Sequence, residues 1–267
     1  MLLLGLWITG ISRLIMMENE FSINNKALHI YCLSDAHLGS NVFNREYWEY
    51  ALSVFKRDKH NKVLYLNGDL LELASKNTGD SVFNQEMDVN EQINQMVEYL
   101  EPHKQYIRGL TSGNHDSMRT KKDFNLDTAK VIADMLDVPY NTSIYDTLLV
   151  NDKKLSIYLA HGKGSSKLQH LALGKIQRDM SFIEADINFM GHLHRCGSIE
   201  QVYYQPNKGY YRRLFCLTGH FLRYENSYAS NMLLSPSPEA FLRVEVDKDL
   251  NKNVTMYESD KINWKEE

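Results

Sequence analysis

The chain has 267 residues, 43% hydrophobic and 24% charged, with 30 basic against 34 acidic side chains. This is ordinary globular composition, long enough for one α/β domain with a normal core and no disulfide support. The net charge of −4 and the pI near 6.2 exclude a broad basic nucleic-acid surface but not a local basic channel.

Residues 1–17 are mostly apolar, but they are short for a membrane span and contain Arg13. They lack the basic start and small-residue end of a secretory signal. Residues 1–27 are therefore read as an N-terminal extension: a dispensable start, a docked amphipathic helix or a weak membrane contact. Residues 28–267 are read as a single domain. No other stretch could span a bilayer, so no membrane partner is expected.

The first strand is expected at 28–33, feeding into Ser34-Asp35. Residues 45–57 have helical spacing. Strand 62–66 ends at Asn67-Gly68-Asp69, helix 88–101 follows, and strand 105–110 leads to Gly113-Asn114-His115-Asp116. Helix 126–137 stops before Pro139. Strands 146–151 and 155–160 flank Asn151–Lys154 as a hairpin whose second strand ends at His161. Residues 166–185 carry one or two helices, and 186–190 is the strand before Gly191-His192-Leu193-His194. The rest is β: strands 199–204 and 210–217 around the turn Pro206–Gly209, then 240–247 and 253–258. Residues 74–86 and 224–239 read as loops. Cys32, Cys196 and Cys216 form no CxxC pair. Cys32 and Cys216 fall inside apolar runs, as buried thiols do, and a reducing, cytoplasmic compartment is expected.

Five short motifs thus follow strand-like runs, where ligands collect at the ends of α/β sheets. Each alone is weak: a Gly-Asp after a strand is usually a turn, and a lone histidine is usually structural. His29, His60, His103 and His170 are read that way, and His220 as a residue beside the site or on the surface. Together the five place Asp35, His37, Asp69, Asn114, His161, His192 and His194 as mixed O/N donors that suit divalent metals. The flanking glycines allow sharp turns and close approach of phosphate. The chemistry implied is hydrolysis of a phosphate ester by metal-activated water.

This motif set, over residues 28–220, resembles the calcineurin-like metallophosphoesterase superfamily, and more distantly uncharacterised phosphoesterases of phages and bacteria. The resemblance implies a four-layer α-β-β-α sandwich and a dinuclear centre of Mn²⁺, Fe or Zn²⁺, with Mn²⁺ first. It assigns Asp35, His37 and His194 to one ion, Asp69 as a bridge, and Asn114, His161 and His192 to the other. His115 would steady the developing charge or protonate the leaving group, and Asp116 would orient its imidazole. A hydroxide shared by the two ions would attack phosphorus in line with the leaving oxygen.

Lys163, Lys167, Lys175 and Arg178 lie between two motifs and either contact further phosphates or form a solvated face. Tyr203–Arg213, with Lys208, Arg212 and Arg213, reads as a base-stacking surface or as a hairpin of cross-strand tyrosine pairs. The expected activity is a phosphodiesterase on nucleic acid or nucleotides. The alternatives are a phosphatase or pyrophosphohydrolase of a small metabolite, recommended by Gly68-Asp69-Leu70-Leu71-Glu72, or a non-catalytic scaffold of the same fold. Oligomeric state is not legible.

Overall fold

The computed structural model describes residues 20–21, 27–75, 85–207 and 209–262. Most of the expected N-terminal extension, nine residues of the 74–86 loop and Lys208 lie outside the described residues.

In chain order the elements are β1 (Glu20–Phe21), β2 (Leu28–Leu33), α1 (Arg45–Arg57), β3 (Asn61–Asn67), α2 (Val89–Leu100), β4 (Ile107–Thr111), α3 (Thr120–Phe124), α4 (Thr128–Leu136), β5 (Tyr140–Asn141), β6 (Ser143–Val150), β7 (Lys153–Ala160), α5 (Gln169–Met180), β8 (Ile187–Met190), β9 (Cys196–Gln205), β10 (Gly209–Thr218), α6 (Tyr228–Asn231), β11 (Ala240–Val246) and β12 (Lys252–Glu258). Their described strands form two six-stranded sheets, ordered β1-β6-β7-β8-β10-β9 and β12-β11-β2-β3-β4-β5.

Alternation along the strands builds the layers. Leu28, Ile30 and Cys32 of β2 pack between the sheets with Val63, Ile157, Phe189 and Val244. The opposite face of β2, Tyr31 and Leu33, packs with Trp48 and Phe55 of α1, Met96 of α2 and Ile132 of α4. On the far side Ala172, Ile176 and Met180 of α5 cover Phe215 and Leu217. The result is the four-layer α-β-β-α sandwich. Burial of each large apolar side chain stabilises it by about 1.5–3 kcal/mol. Among the described residues no helix is long and apolar enough to cross a membrane.

Most differences from the expected elements are shifts at their ends. The first hairpin turns on Asn151 and Asp152 alone, both left-handed (φ 47° and 62°), which gives a two-residue connection matching the strand twist. Unforeseen are the two-residue strands β1 and β5, the short helix α6 within the segment expected to be a loop, and a π-helical turn over Asn114–Arg119 running into α3. The polar sequence of that turn carries no apolar period to announce a helix.

Candidate metal centre

Parallel β2 and β3 end side by side, and their extensions continue the pairing. The amides of Asp35, His37 and Leu38 donate to the carbonyls of Gly68, Asp69 and Leu70 at 3.0, 3.0 and 2.9 Å. Asp35 (φ 52°), His37 (52°), Asp69 (50°), His192 (68°) and His194 (49°) all adopt left-handed backbone. For non-glycine residues this costs about 1–3 kcal/mol each. Glycine clears the space around them: a Cβ on Gly113 would lie 2.1 Å from Asp69 Oδ1, and one on Gly191 would lie 2.6 Å from Asp35 Oδ2.

The donors converge. His194 Nε2 lies 3.3 Å from Asp35 Oδ1 and 3.1 Å from His37 Nε2. His161 Nε2 lies 3.0 Å from Asp69 Oδ2, yet it is buried and makes no hydrogen bond. Asn114 Oδ1 is 2.8 Å from His192 Nδ1. Three overlapping groups result, Asp35–His37–His194, His37–Asp69–His115 and Asp69–His161–His192, and His37 Nε2 stands 3.9 Å from Asp69 Oδ2. Facing imidazole nitrogens beside buried carboxylates fit divalent cations, and the O/N donor set suits Mn²⁺, Fe or Zn²⁺. All seven residues named from the motifs fall in this one place.

The electrostatics follow from burial against proximity. Burial alone would raise the Asp35 carboxyl, but His161 and His194 outweigh it and hold it at about 2. Asp69 is likewise kept well below the carboxylate range, against burial, by His161, His115 and His37. His161 resists its own burial and is pushed up to about 10 by Asp69 and Asp35. Burial pushes His37 and His192 down, which favours the neutral ring a metal needs.

The residues around His115 depart from expectation. Asp116 does not orient its imidazole. Its carboxylate accepts from the amides of Leu70 and Leu71 at 3.1 and 2.9 Å and pins the loop after β3. Burial, with the Asp69 charge, raises it to about 7. The orienting residue is Glu72, whose carbonyl accepts from His115 Nδ1 at 3.0 Å and whose carboxylate meets His37 Nδ1 at 3.0 Å and Arg119 at 3.1 Å. Arg119 donates to His115 Nε2 at 2.9 Å. The Gly-Asp-x-x-Glu spacing contained Glu72, and Arg119 lies one helical turn beyond His115. No apolar period marks that turn.

A cleft of about 530 Å³ opens over the centre, walled by residues 164–167 and 222–237. Arg195 donates to the carbonyls of Lys167, Ser235 and Pro236 at 3.0, 3.0 and 3.2 Å, tying the walls together. Of the expected phosphate contacts only Lys167 lines the cleft; Arg119, Arg195 and Arg223 line it too. Lys163 is exposed and outside the lining. Lys175 and Arg178 pair with Asp179, and Arg212 pairs with Glu200 at 2.7 Å. Arg213 is buried on the carbonyls of Met180 and Ala185. Tyr203 stacks on Tyr211 and Tyr204 lies against Tyr210, with centroids 5.3 and 5.1 Å apart. Cross-strand pairing therefore accounts for this segment, as the hairpin reading required.

Comparison with solved structures returns chains of low identity. A metallophosphoesterase from Sphaerobacter thermophilus is 14% identical, with 86% of this chain and 87% of that one covered and a TM-score of 0.44. A single mutant of Vps29 from Entamoeba histolytica is 13% identical, with 86% and 98% covered and a TM-score of 0.43. A conserved uncharacterized protein, a predicted phosphoesterase, from Streptococcus pneumoniae TIGR4 is 15% identical, with 87% and 98% covered and a TM-score of 0.37. No family model and no curated protein matches the chain.

Proposed function

We propose that this protein is a metal-dependent phosphoesterase with a dinuclear centre, acting on a phosphodiester of about nucleotide size. The observation that carries the reading is the convergence of seven motif donors, five of them on left-handed backbone, at one set of strand ends. Asp35, His37 and His194 would hold one ion and Asn114, His161 and His192 the other, with Asp69 between them. When bound, two divalent ions supply Lewis-acid charge and make water acidic enough to act as a nucleophile near neutral pH.

The chain's own groups supply the rest. Arg119 donates to His115 Nε2, so the ring holds its proton on Nδ1 and gives it to the Glu72 carbonyl. An incoming ester draws Arg119 onto a phosphate oxygen, since a guanidinium binds such oxygens strongly. Nε2 is then free to hold a proton for the leaving oxygen. Asp69 and Glu72 favour that charged ring, which raises the His115 pKa despite its burial.

The substrate size rests on the walls. Arg195 joins them across a cleft of about 530 Å³, within the range of small-molecule sites. Within the hairpin Arg213 is held by backbone carbonyls and Arg212 pairs with Glu200, so these two cations have protein partners. The test is hydrolysis, with added Mn²⁺, of bis-p-nitrophenyl phosphate, p-nitrophenyl phosphate, cyclic nucleotides and single- and double-stranded DNA, with Asp69→Asn as control. Cleavage of the diester and a nucleotide, lost in the control, is expected. Preferred cleavage of duplex DNA would overturn the substrate size. Inactivity with metal bound would leave the scaffold.

A further inference from the structure

His220 belongs to none of the motifs, yet it is 5% exposed and its ring stacks on that of His194, with centroids 5.3 Å apart and planes 28° apart. Its own position is firmly set. The His220 amide donates to the Ala240 carbonyl at 3.0 Å and its carbonyl accepts from the Ala240 amide at 3.1 Å. Gly219 makes this approach possible: it is left-handed at φ 88°, and a Cβ there would sit 1.8 Å from the Ala240 oxygen. The Leu222 amide donates to His220 Nδ1 at 3.2 Å. The ring proton therefore lies on Nε2, which is buried without a partner, and neither nitrogen has a lone pair free for a metal.

His194 needs outside support. A metal-binding imidazole is normally aimed by a hydrogen bond to its far nitrogen. His37 has Glu72 in that role, and His161 has the Asn67 carbonyl at 2.8 Å. His194 makes its polar contacts through Nε2, to His37 and Asp35. Among the described residues no group meets its Nδ1, and its side chain is 37% exposed.

We propose that His220 is a positioning residue that fixes the His194 ring by stacking, replacing the missing hydrogen bond. A flat ring anchored to β11 confines the rotation that would carry Nε2 away from Asp35 and His37. This inference rests on the metal-centre reading and adds a residue that does not itself bind the ion.

The experiment is calorimetric titration of Mn²⁺ into metal-free wild type, His220→Phe, His220→Leu and His220→Ala. Melting of each metal-free protein would be followed in parallel. Expected is about ten-fold weaker binding at one of two sites in the Leu and Ala variants, the lower end for groups that orient a ligand. His220→Phe, which keeps a flat ring, should stay within about three-fold of wild type by the same argument. His220→Leu fills the space and keeps the test valid if Ala fails to fold. Wild-type affinity in His220→Leu would overturn the proposal, as would equal weakening in Phe and Leu. Wild type that binds no ion would overturn the metal-centre reading itself, a result distinct from either.

Discussion

Two sets of histidine–aspartate groups sit at opposite ends of β2 and β3, and in each group the donor atoms lie within 4.8 Å of one another. At the starting ends, His29 and His60 meet the two oxygens of Asp58 through their Nδ1 atoms at 2.5 and 2.9 Å. Their rings are tilted by 30° with centroids 4.0 Å apart, and both Nδ1 atoms turn to the same carboxylate. Tyr31 adds a 2.7 Å bond and the His60 amide one of 3.0 Å, which leaves Asp58 well satisfied. At the finishing ends, nitrogens from different strands face one another across a gap, on left-handed backbone. The residue types are the same. The distinguishing features are backbone strain held in place and a buried nitrogen without a hydrogen bond at one end, against a carboxylate bonded through both oxygens at the other.

The sharpest way to break this contrast is to remove one aspartate from each end. Asp69→Asn should lower Mn²⁺-dependent diester turnover by about 1000-fold, as expected for loss of a group holding the catalytic charge. It should also abolish the stabilisation expected from Mn²⁺ binding in wild type, about 2.7 kcal/mol at a hundred times Kd, read as a rise in melting temperature. Turnover within ten-fold of wild type would remove Asp69 from the centre. Asp58→Ala should do the reverse, with activity and the Mn²⁺ response intact. Burying His29 and the Tyr31 hydroxyl without their acceptor should cost about 2–4 kcal/mol, read by thermal melting. Loss of metal response without loss of stability would show that the two ends had been assigned the wrong way round.

A smaller effect concerns pH. Burial works to raise the Asp58 carboxyl, but the His60 amide, His29 and Tyr31 outweigh it and hold it below the usual range. A depressed folded pKa gives stability that is complete above the unfolded value near about 4 and is lost as pH falls through the folded one. The part of the stability gap between wild type and Asp58→Asn that belongs to this carboxyl should therefore shrink below about pH 4. A gap that persists unchanged to pH 3 in chemical denaturation would contradict this. The smallest effect belongs to the hairpin outside both ends. Arg212→Ala removes a mostly exposed pair with Glu200 and should change stability by no more than about 0.5 kcal/mol and diester KM not at all. A several-fold rise in KM would bring the hairpin into the site.

The sequence by itself determined the sandwich and the candidate ligands, because both are local signals. Apolar runs of strand length mark the parallel strands, and in a parallel sheet strand ends gather at one edge, which groups Asp35, Asp69 and Asn114 on one sheet and His161, His192 and His194 on the other; the face-to-face packing of the sheets joins the two sets. Only the tertiary structure decided who supports them. Asp116 and Glu72 are equally plausible partners for His115 along the chain, but the turn of the loop after β3 gives the first to backbone amides and the second to the imidazole. Arg119 enters the site through a π-helical turn that no periodicity announced. His220 meets His194 because the end of β10 bridges to β11 across a left-handed glycine. Such contacts join side chains whose separation along the chain bears no relation to their separation in space, and packing alone brings them together.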